Sequence, residues 1–410
     1  METNTLFYLI LGILIAEFLI DKLLDYLNAK RFSADIPSEL ADLTDKETQE
    51  KSVRYLKTKY RYGIWESLFT FVFTLGFIGL GGIGWVDDWA RSITEHPIGV
   101  ALLFFGAIGL VSSILRIPFS YYNTFVIEAE FGFNKSTVGL FFSDYFKSLV
   151  LGAVLGGGIL ALVILIYDWA GPQFWIYAWI CIGIFTVLLN LFYSKWIVPL
   201  FNKQRPMEES PLKQLIADYS KEVDFGLKDI FVIDGSKRST KANAYFSGFG
   251  NQKRITLYDT LINDLEEDEI VAVLAHEVGH YKHRHIITNM VVSLASIGLT
   301  LYLLSLCINY PELSLALGAS EPAFHVALIA FGILYGPFSE LTGLAMNYVS
   351  RKFEFQADDY AKNTFGSAPL VGALKKLSKN SLSNLNPHPA YVFMHYSHPP
   401  LLARIHNLRS

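Results

Sequence analysis

Ser148 to Tyr167 reads SLVLGAVLGGGILALVILIY, twenty residues without a charge. A helix rises about 1.5 Å per residue and the hydrocarbon core of a bilayer is about 30 Å thick, so this run is predicted to cross a membrane. Outward from it, runs of the same kind recur near 6–26, 64–86, 98–117, 174–195, 286–308 and 322–347, which makes seven. The first carries Glu17, Asp21 and Lys22 and has neither a basic region ahead of it nor a small-residue cleavage site, so it reads as a retained span and not as a signal peptide. The composition agrees: 410 residues that are 52% hydrophobic and only 18% charged are too apolar for a chain of water-soluble domains. A net charge of −4 supplies no basic excess, which excludes nucleic acid as a partner. Cys181 and Cys307 both sit in apolar runs, so neither a disulfide framework nor a cysteine zinc site is available.

Lysine and arginine set the orientation, because short cation-rich loops resist translocation. Segment 28–62 holds eight of them and the tail after the last run holds eight more, whereas 1–5, 87–97, 168–173 and 309–321 together hold only Arg91. Seven spans with the N-terminus outside and the C-terminus in the cytosol satisfy every loop. The chain then divides into spans one to five with their loops (1–195), a cytosolic part (196–285), spans six and seven (286–347) and a cytosolic C-terminal part (348–410). Both polar parts lie on one side and can fold together. In the first, Asp229–Asp234, Ala242–Phe249 and Arg254–Tyr258 read as strands, with a turn at Gly250-Asn251-Gln252. Glu266 to about His285 reads as a helix with an acidic first turn and a basic last one. The glycines of 76–84 and Gly156-Gly157-Gly158 read as close helix packing in lipid, not as a phosphate loop.

That helix contains His276-Glu277-Val278-Gly279-His280. Histidines four apart share a helical face, and two neutral imidazoles with a carboxylate suit zinc with one position left for water. Glu277, about 100° round the helix, is placed to reach that water as general base. Apolar neighbours Ile270, Val271, Val273, Leu274 and Val278 argue against two ordinary surface histidines. The third ligand must come from elsewhere. SRKFEFQAD (350–358) continues helically from the seventh span with Glu354 and Asp358 on one face. Glu354 is assigned to the metal, and Asp358 to the free N–H of a ligating histidine, whose tautomer it would fix. Glu66, Arg116, Asn190 and Glu340 lie in or beside spans, where a polar side chain facing lipid is costly, so they should line an interior or pair. His283 and His285 read as partners of the helix C-terminus, and His96, His325, His388, His395 and His406 as structural or surface residues.

FVIEAEFGFNKST (125–137), NAYFSGF (243–249), HEVGH (276–280) with SRKFEFQAD, and HYSHPPLLARI (395–405) together resemble the type I CAAX prenyl proteases, integral-membrane zinc metallopeptidases. The resemblance implies seven helices enclosing a chamber, capped by a cytosolic gluzincin-like zinc domain with a small β-sheet. It implies one zinc per chain on His276, His280 and Glu354, with Glu277 as base. It implies His398 near the oxyanion and Arg404 bracing the ligand carboxylates or the substrate. It implies that Asn243, Ala244, Tyr245 and Phe246 form an exposed edge for an extended substrate; a buried strand is the alternative. The substrate implied is a peptide or prenylated protein C-terminus beside membrane lipid, cut to release the last three residues; unlipidated membrane peptides handled in quality control are the other reading. A non-enzymatic seven-helix transporter leaves the HEVGH and SRKFEFQAD pairing unexplained. A bacterial inner membrane is favoured over the endoplasmic reticulum, because HNLRS carries no dilysine-type signal.

Overall fold

The computed structural model of the chain describes residues 2–33, 38–40, 45–247 and 254–410. All seven apolar runs are helical. The run around Ser148 lies within the helix Val138–Ala170, opened by Thr137, whose hydroxyl accepts from Leu140 N at 3.2 Å. Among the described residues, five segments are long and apolar enough to cross a membrane: Lys46–Gly79, Pro97–Glu130, Val138–Phe201, His285–Cys307 and Phe324–Thr364. Val138–Phe201 contains two of the expected spans, Val138–Ala170 and Phe174–Phe192, separated at Gly171-Pro172. The first expected span forms the helix Thr3–Ala29 and is outside those five.

Three expectations need correction. The run 64–86 is not one helix: Lys46–Gly79 ends before Gly81, whose φ of 77° suits glycine, and Gly82–Ile93 starts afresh. The charged segment read as a loop up to residue 62 is helical from Lys46, because Asp45 caps it by accepting from Thr48 N at 2.8 Å. The glycines differ from one another. Gly84 packs directly on the Gly318 backbone, whereas Gly76, Gly79, Gly156 and Gly158 have nothing within 4 Å of a built Cβ.

The polar parts build a four-stranded sheet in the order β1-β2-β4-β3, from β1 (Gln204–Pro206), β2 (Asp229–Ile233), β3 (Ala244–Ser247) and β4 (Arg254–Tyr258). β2 and β4 are parallel, while β3 runs antiparallel to β4 with Tyr245 opposite Thr256. β3 is therefore an edge strand. The turn at 250–252 and the end of the strand expected to reach 249 lie outside the described residues. β1, of three residues, was not anticipated.

One apolar core joins the two polar parts: Ile216, Phe225, Ile230, Leu257, Ile270, Leu274 and Val278 pack with Ala361, Leu370 and Ile405. The helix Glu267–Lys282, called the histidine helix below, starts at a capping box in which Glu269 accepts from Glu266 N at 2.9 Å. It ends earlier than expected. Arg284 takes the left-handed conformation, φ 58° and ψ 26°, and His285 begins the next helix.

Candidate metal centre

The histidine helix lies against the long helix Phe324–Thr364 at a contact that admits no side chain. A Cβ on Gly279 would meet Ala357 Cα at 2.9 Å and its carbonyl oxygen at 3.0 Å. The glycine inside HEVGH thus lets two backbones touch. The touching turn of the long helix carries Glu354 and Asp358, four residues apart and both buried.

His276, His280 and Glu354 meet there, with one ligand atom from each lying within 4.8 Å of the others. The two Nε2 atoms are 3.1 Å apart. Glu354 Oε2 is 3.5 Å from His276 Nε2, and Oε1 is 3.3 Å from His280 Nε2. On the far side of the first ring, His276 Nδ1 lies 2.8 Å from Asp358 Oδ1. Arg404 Nη2 is also 3.3 Å from that nitrogen. One nitrogen cannot both donate and accept here. The shorter contact to a carboxylate decides that Nδ1–H donates to Asp358, leaving Nε2 bare.

Arg404, from the short helix Leu401–Arg409, forks onto Asp358 with Nε to Oδ2 at 2.8 Å and Nη2 to Oδ1 at 2.6 Å. Its Nη1 also lies 3.3 Å from Glu354 Oε2. Two buried carboxylates are thereby held by one planar cation. Burial pushes the pKa of the His276 imidazole down, but the Asp358 and Glu354 carboxylates beside its two ring nitrogens outweigh that, and the net direction is upward.

Two further residues sit nearby. His398, mostly exposed, brings Nε2 to 3.3 Å from Glu354 Oε1 while its Nδ1 pairs with the Ser397 hydroxyl at 3.0 Å. Together with Arg404 it lines a cavity of about 650 Å³ that reaches Gly63 on Lys46–Gly79. Glu277, half-buried, has no hydrogen bond or ion pair among the described residues.

The donor set suits a divalent cation. Two imidazole Nε2 atoms face each other beside a carboxylate oxygen, Glu354 Oε2, that is buried without a hydrogen bond. Lone pairs so arranged repel unless a positive charge lies between them.

His285 and Gln356 were not singled out as site residues. His285 Nδ1 lies 3.0 Å from His280 Nδ1, and its Nε2 lies 2.8 Å from Gln356 Oε1. This corrects the reading of His285 as a partner of the helix C-terminus, since it faces the second histidine. Its position five residues after His280 gives no helical cue, because the chain turns at Arg284. Gln356 was in view inside SRKFEFQAD, but an amide between two acids gives no signal of its own.

Of the polar residues expected to line an interior, Glu66 and Arg116 border a cavity of about 680 Å³ with Phe69, Phe73 and Phe119. Asn190 instead donates to Thr186 O of its own helix at 2.9 Å. His325 pairs with buried Asp87 at 2.7 Å, far along the chain from HEVGH.

Long apolar helices and a buried histidine–carboxylate cluster define a membrane-embedded metalloprotease. Residues 206–410 match peptidase family M48, and residues 25–203 match the family described as CAAX prenyl protease N-terminal, five membrane helices. The chain is 34% identical to the CAAX prenyl protease 1 homolog of Homo sapiens, covering 92% of this chain and 89% of that protein. It is 34% identical to CAAX prenyl protease 1 of Saccharomyces cerevisiae, covering 97% and 94%. The crystal structure of S. mikatae Ste24p superposes with a TM-score of 0.94 at 33% identity, over 100% of both chains. The chain belongs to peptidase family M48, in its CAAX prenyl protease branch.

Proposed function

We propose that the chain is a zinc endopeptidase that removes the last three residues from prenylated proteins ending in Cys-aliphatic-aliphatic-X. The observation that carries the chemistry is the convergence of His276, His280 and Glu354 beside Glu277, which makes no hydrogen bond or ion pair among the described residues. The substrate class is supported by the names of the relatives.

His276, His280 and Glu354 would hold one zinc. When bound, zinc lowers the pKa of water and polarises a carbonyl. Glu277 takes the proton from water as its oxygen attacks the scissile carbonyl carbon, then delivers that proton to the leaving nitrogen. His398, with the Ser397 hydroxyl donating to Nδ1, keeps its proton on Nε2 and donates it to the developing oxyanion. Asp358 fixes the His276 tautomer, and Arg404 holds Asp358 and Glu354 in place.

Asn243 to Phe246 receive the substrate. Asn243 O accepts from Tyr258 N at 3.1 Å, so Asn243 and Tyr245 turn their backbone groups toward β4. Ala244 and Phe246 then face the open edge. Ala244 N is already taken by Asn243 Oδ1 at 2.8 Å, which leaves Ala244 C=O and both groups of Phe246 to pair with an extended peptide.

We infer seven spans with this site on the cytosolic face. The cation bias supports the orientation, and the 27-residue helix Thr3–Ala29 and the division at Gly171 support the number.

The test combines metal content with cleavage of one quenched CAAX peptide, prenylated and bare, by wild type and Glu277→Gln. Zinc retained with cleavage lost in the variant is the expected result. An active Glu277→Gln or a metal-free wild type ends the reading, and equal cleavage of the two peptides ends the lipid part of it.

A further inference from the structure

A neutral histidine that ligates through Nε2 must keep its proton on Nδ1, and something must accept it. For His276 the acceptor is Asp358. For His280 no carboxylate among the described residues is hydrogen-bonded to Nδ1; the neighbour is His285 Nδ1 at 3.0 Å, and behind it Gln356 Oε1 lies 2.8 Å from His285 Nε2. We propose that His285 and Gln356 form an uncharged relay that sets the tautomer and ring orientation of His280 for metal binding. This rests on the metalloprotease reading above.

The polarity follows from the amide. Gln356 Oε1 accepts from His285 Nε2–H, which leaves His285 Nδ1 bare. His280 Nδ1–H donates into it, so the lone pair of His280 Nε2 turns toward His276 and Glu354. Reversing the amide reverses the chain: its NH₂ would donate to His285, His285 Nδ1–H to His280, and the proton would appear on His280 Nε2, 3.1 Å from His276 Nε2. A ring protonated there cannot ligate. One side-chain oxygen thus decides whether the second histidine is available.

The surroundings hold this arrangement. Arg284 adopts a left-handed conformation that is strained for a non-glycine residue, and that turn brings His285 back to the metal side of the histidine helix. His285 is only 3% exposed, with its ring stacked on Phe353 at 3.9 Å and 10°. Phe353, Glu354 and Gln356 belong to the same turn, so a single segment supplies a ligand, the surface that fixes the relay ring, and the relay's terminal acceptor. An amide accepts without adding a third anion beside Glu354 and Asp358.

The relay makes His285 and Gln356 positioning residues, and zinc affinity reads them directly. Detergent-solubilised full chain is titrated with zinc against a competing chelator for wild type, Gln356→Met, Gln356→Glu, His285→Phe and His285→Asn. The visible spectrum of the cobalt-substituted protein is recorded for each. Gln356→Met and His285→Phe should weaken zinc by about 10–100-fold and shift the cobalt bands, as loss of such a partner does elsewhere. His285→Phe keeps the ring stack, and His285→Asn guards against a folding failure by keeping a donor and an acceptor. Gln356→Glu, which can only accept, should bind zinc more tightly than Gln356→Met even though it adds a third anion. Wild-type zinc affinity in both Gln356→Met and His285→Phe, or equal loss in Gln356→Glu and Gln356→Met, overturns the relay. A wild type that binds no zinc would instead overturn the metalloprotease reading itself.

Discussion

At the scale of single residues, removing Arg404 would leave two buried carboxylates without their cation. Its side chain is 11% exposed, Asp358 is 0% and Glu354 is 5%. Truncating one member of a buried ion pair leaves the other charge without compensation and costs about 3–5 kcal/mol. Arg404→Met should therefore lower the melting temperature of the metal-free protein. Arg404→Lys should recover only part of it, because an ammonium cannot reproduce the fork onto Asp358. Thermal melts in detergent decide; a Lys variant as stable as wild type would mean that charge alone matters. Much at this scale was legible in the sequence, since Glu354, Asp358 and the two histidines announce themselves by helical spacing. His285 did not: it follows an arginine in a left-handed turn, a conformation that sequence assigns to glycine or asparagine.

Among the elements, the site depends on two helices approaching closely. Gly279→Ala would place a methyl 2.9 Å from Ala357 Cα, against backbone that cannot swing aside. Overpacking of this kind costs about 1–3 kcal/mol, and here the displacement separates the histidines from Glu354. The variant should melt lower and hold zinc less tightly; unchanged zinc affinity would show that the helices slide without opening the cluster. A second joint supports the edge strand. Lys241, just before β3, donates to Glu128 Oε2 at 2.9 Å, and Tyr55 donates to Glu128 Oε1 at 2.7 Å. Phe133 O and Lys135 N bond to Thr240 N and Arg238 O. The stretch FVIEAEFGFNKST thus buttresses the approach to β3 from the helices. Glu128→Ala should raise KM for a peptide with little change in kcat, because it disturbs the strand and not the proton transfers. An equal fall in kcat would place Glu128 closer to the chemistry. None of this joint was readable from spacing, since 46–62 is rich in cations and looks like a loop until Tyr55 and Ser52 are seen to pack inward.

For the whole molecule, the apolar runs were legible because a bilayer demands about 20 consecutive apolar residues and leaves little choice. The polar helix end ahead of the second run was not, because nothing in hydropathy says that 46–63 continues the helix, whereas the continuation past the seventh run was read from the spacing of Glu354 and Asp358. The orientation rests on cation bias alone, and it has a direct consequence. Residues that flank the site and residues at the connection just after the helix Gly82–Ile93 must lie on opposite sides of the membrane, because each spanning helix reverses the side on which the chain emerges. Glu209 is highly exposed in the polar part before β2, and Glu95 is exposed between the helices Gly82–Ile93 and Pro97–Tyr122. Neither belongs to the metal cluster. With Cys181 and Cys307 half-buried, single cysteines placed as Glu209→Cys and Glu95→Cys should dominate labelling by a membrane-impermeant maleimide. In sealed vesicles of one orientation, only one of the two should react, and in inverted vesicles the other. Labelling of both from the same side would remove an odd number of crossings between them, and with it the placement of the catalytic face in the cytosol.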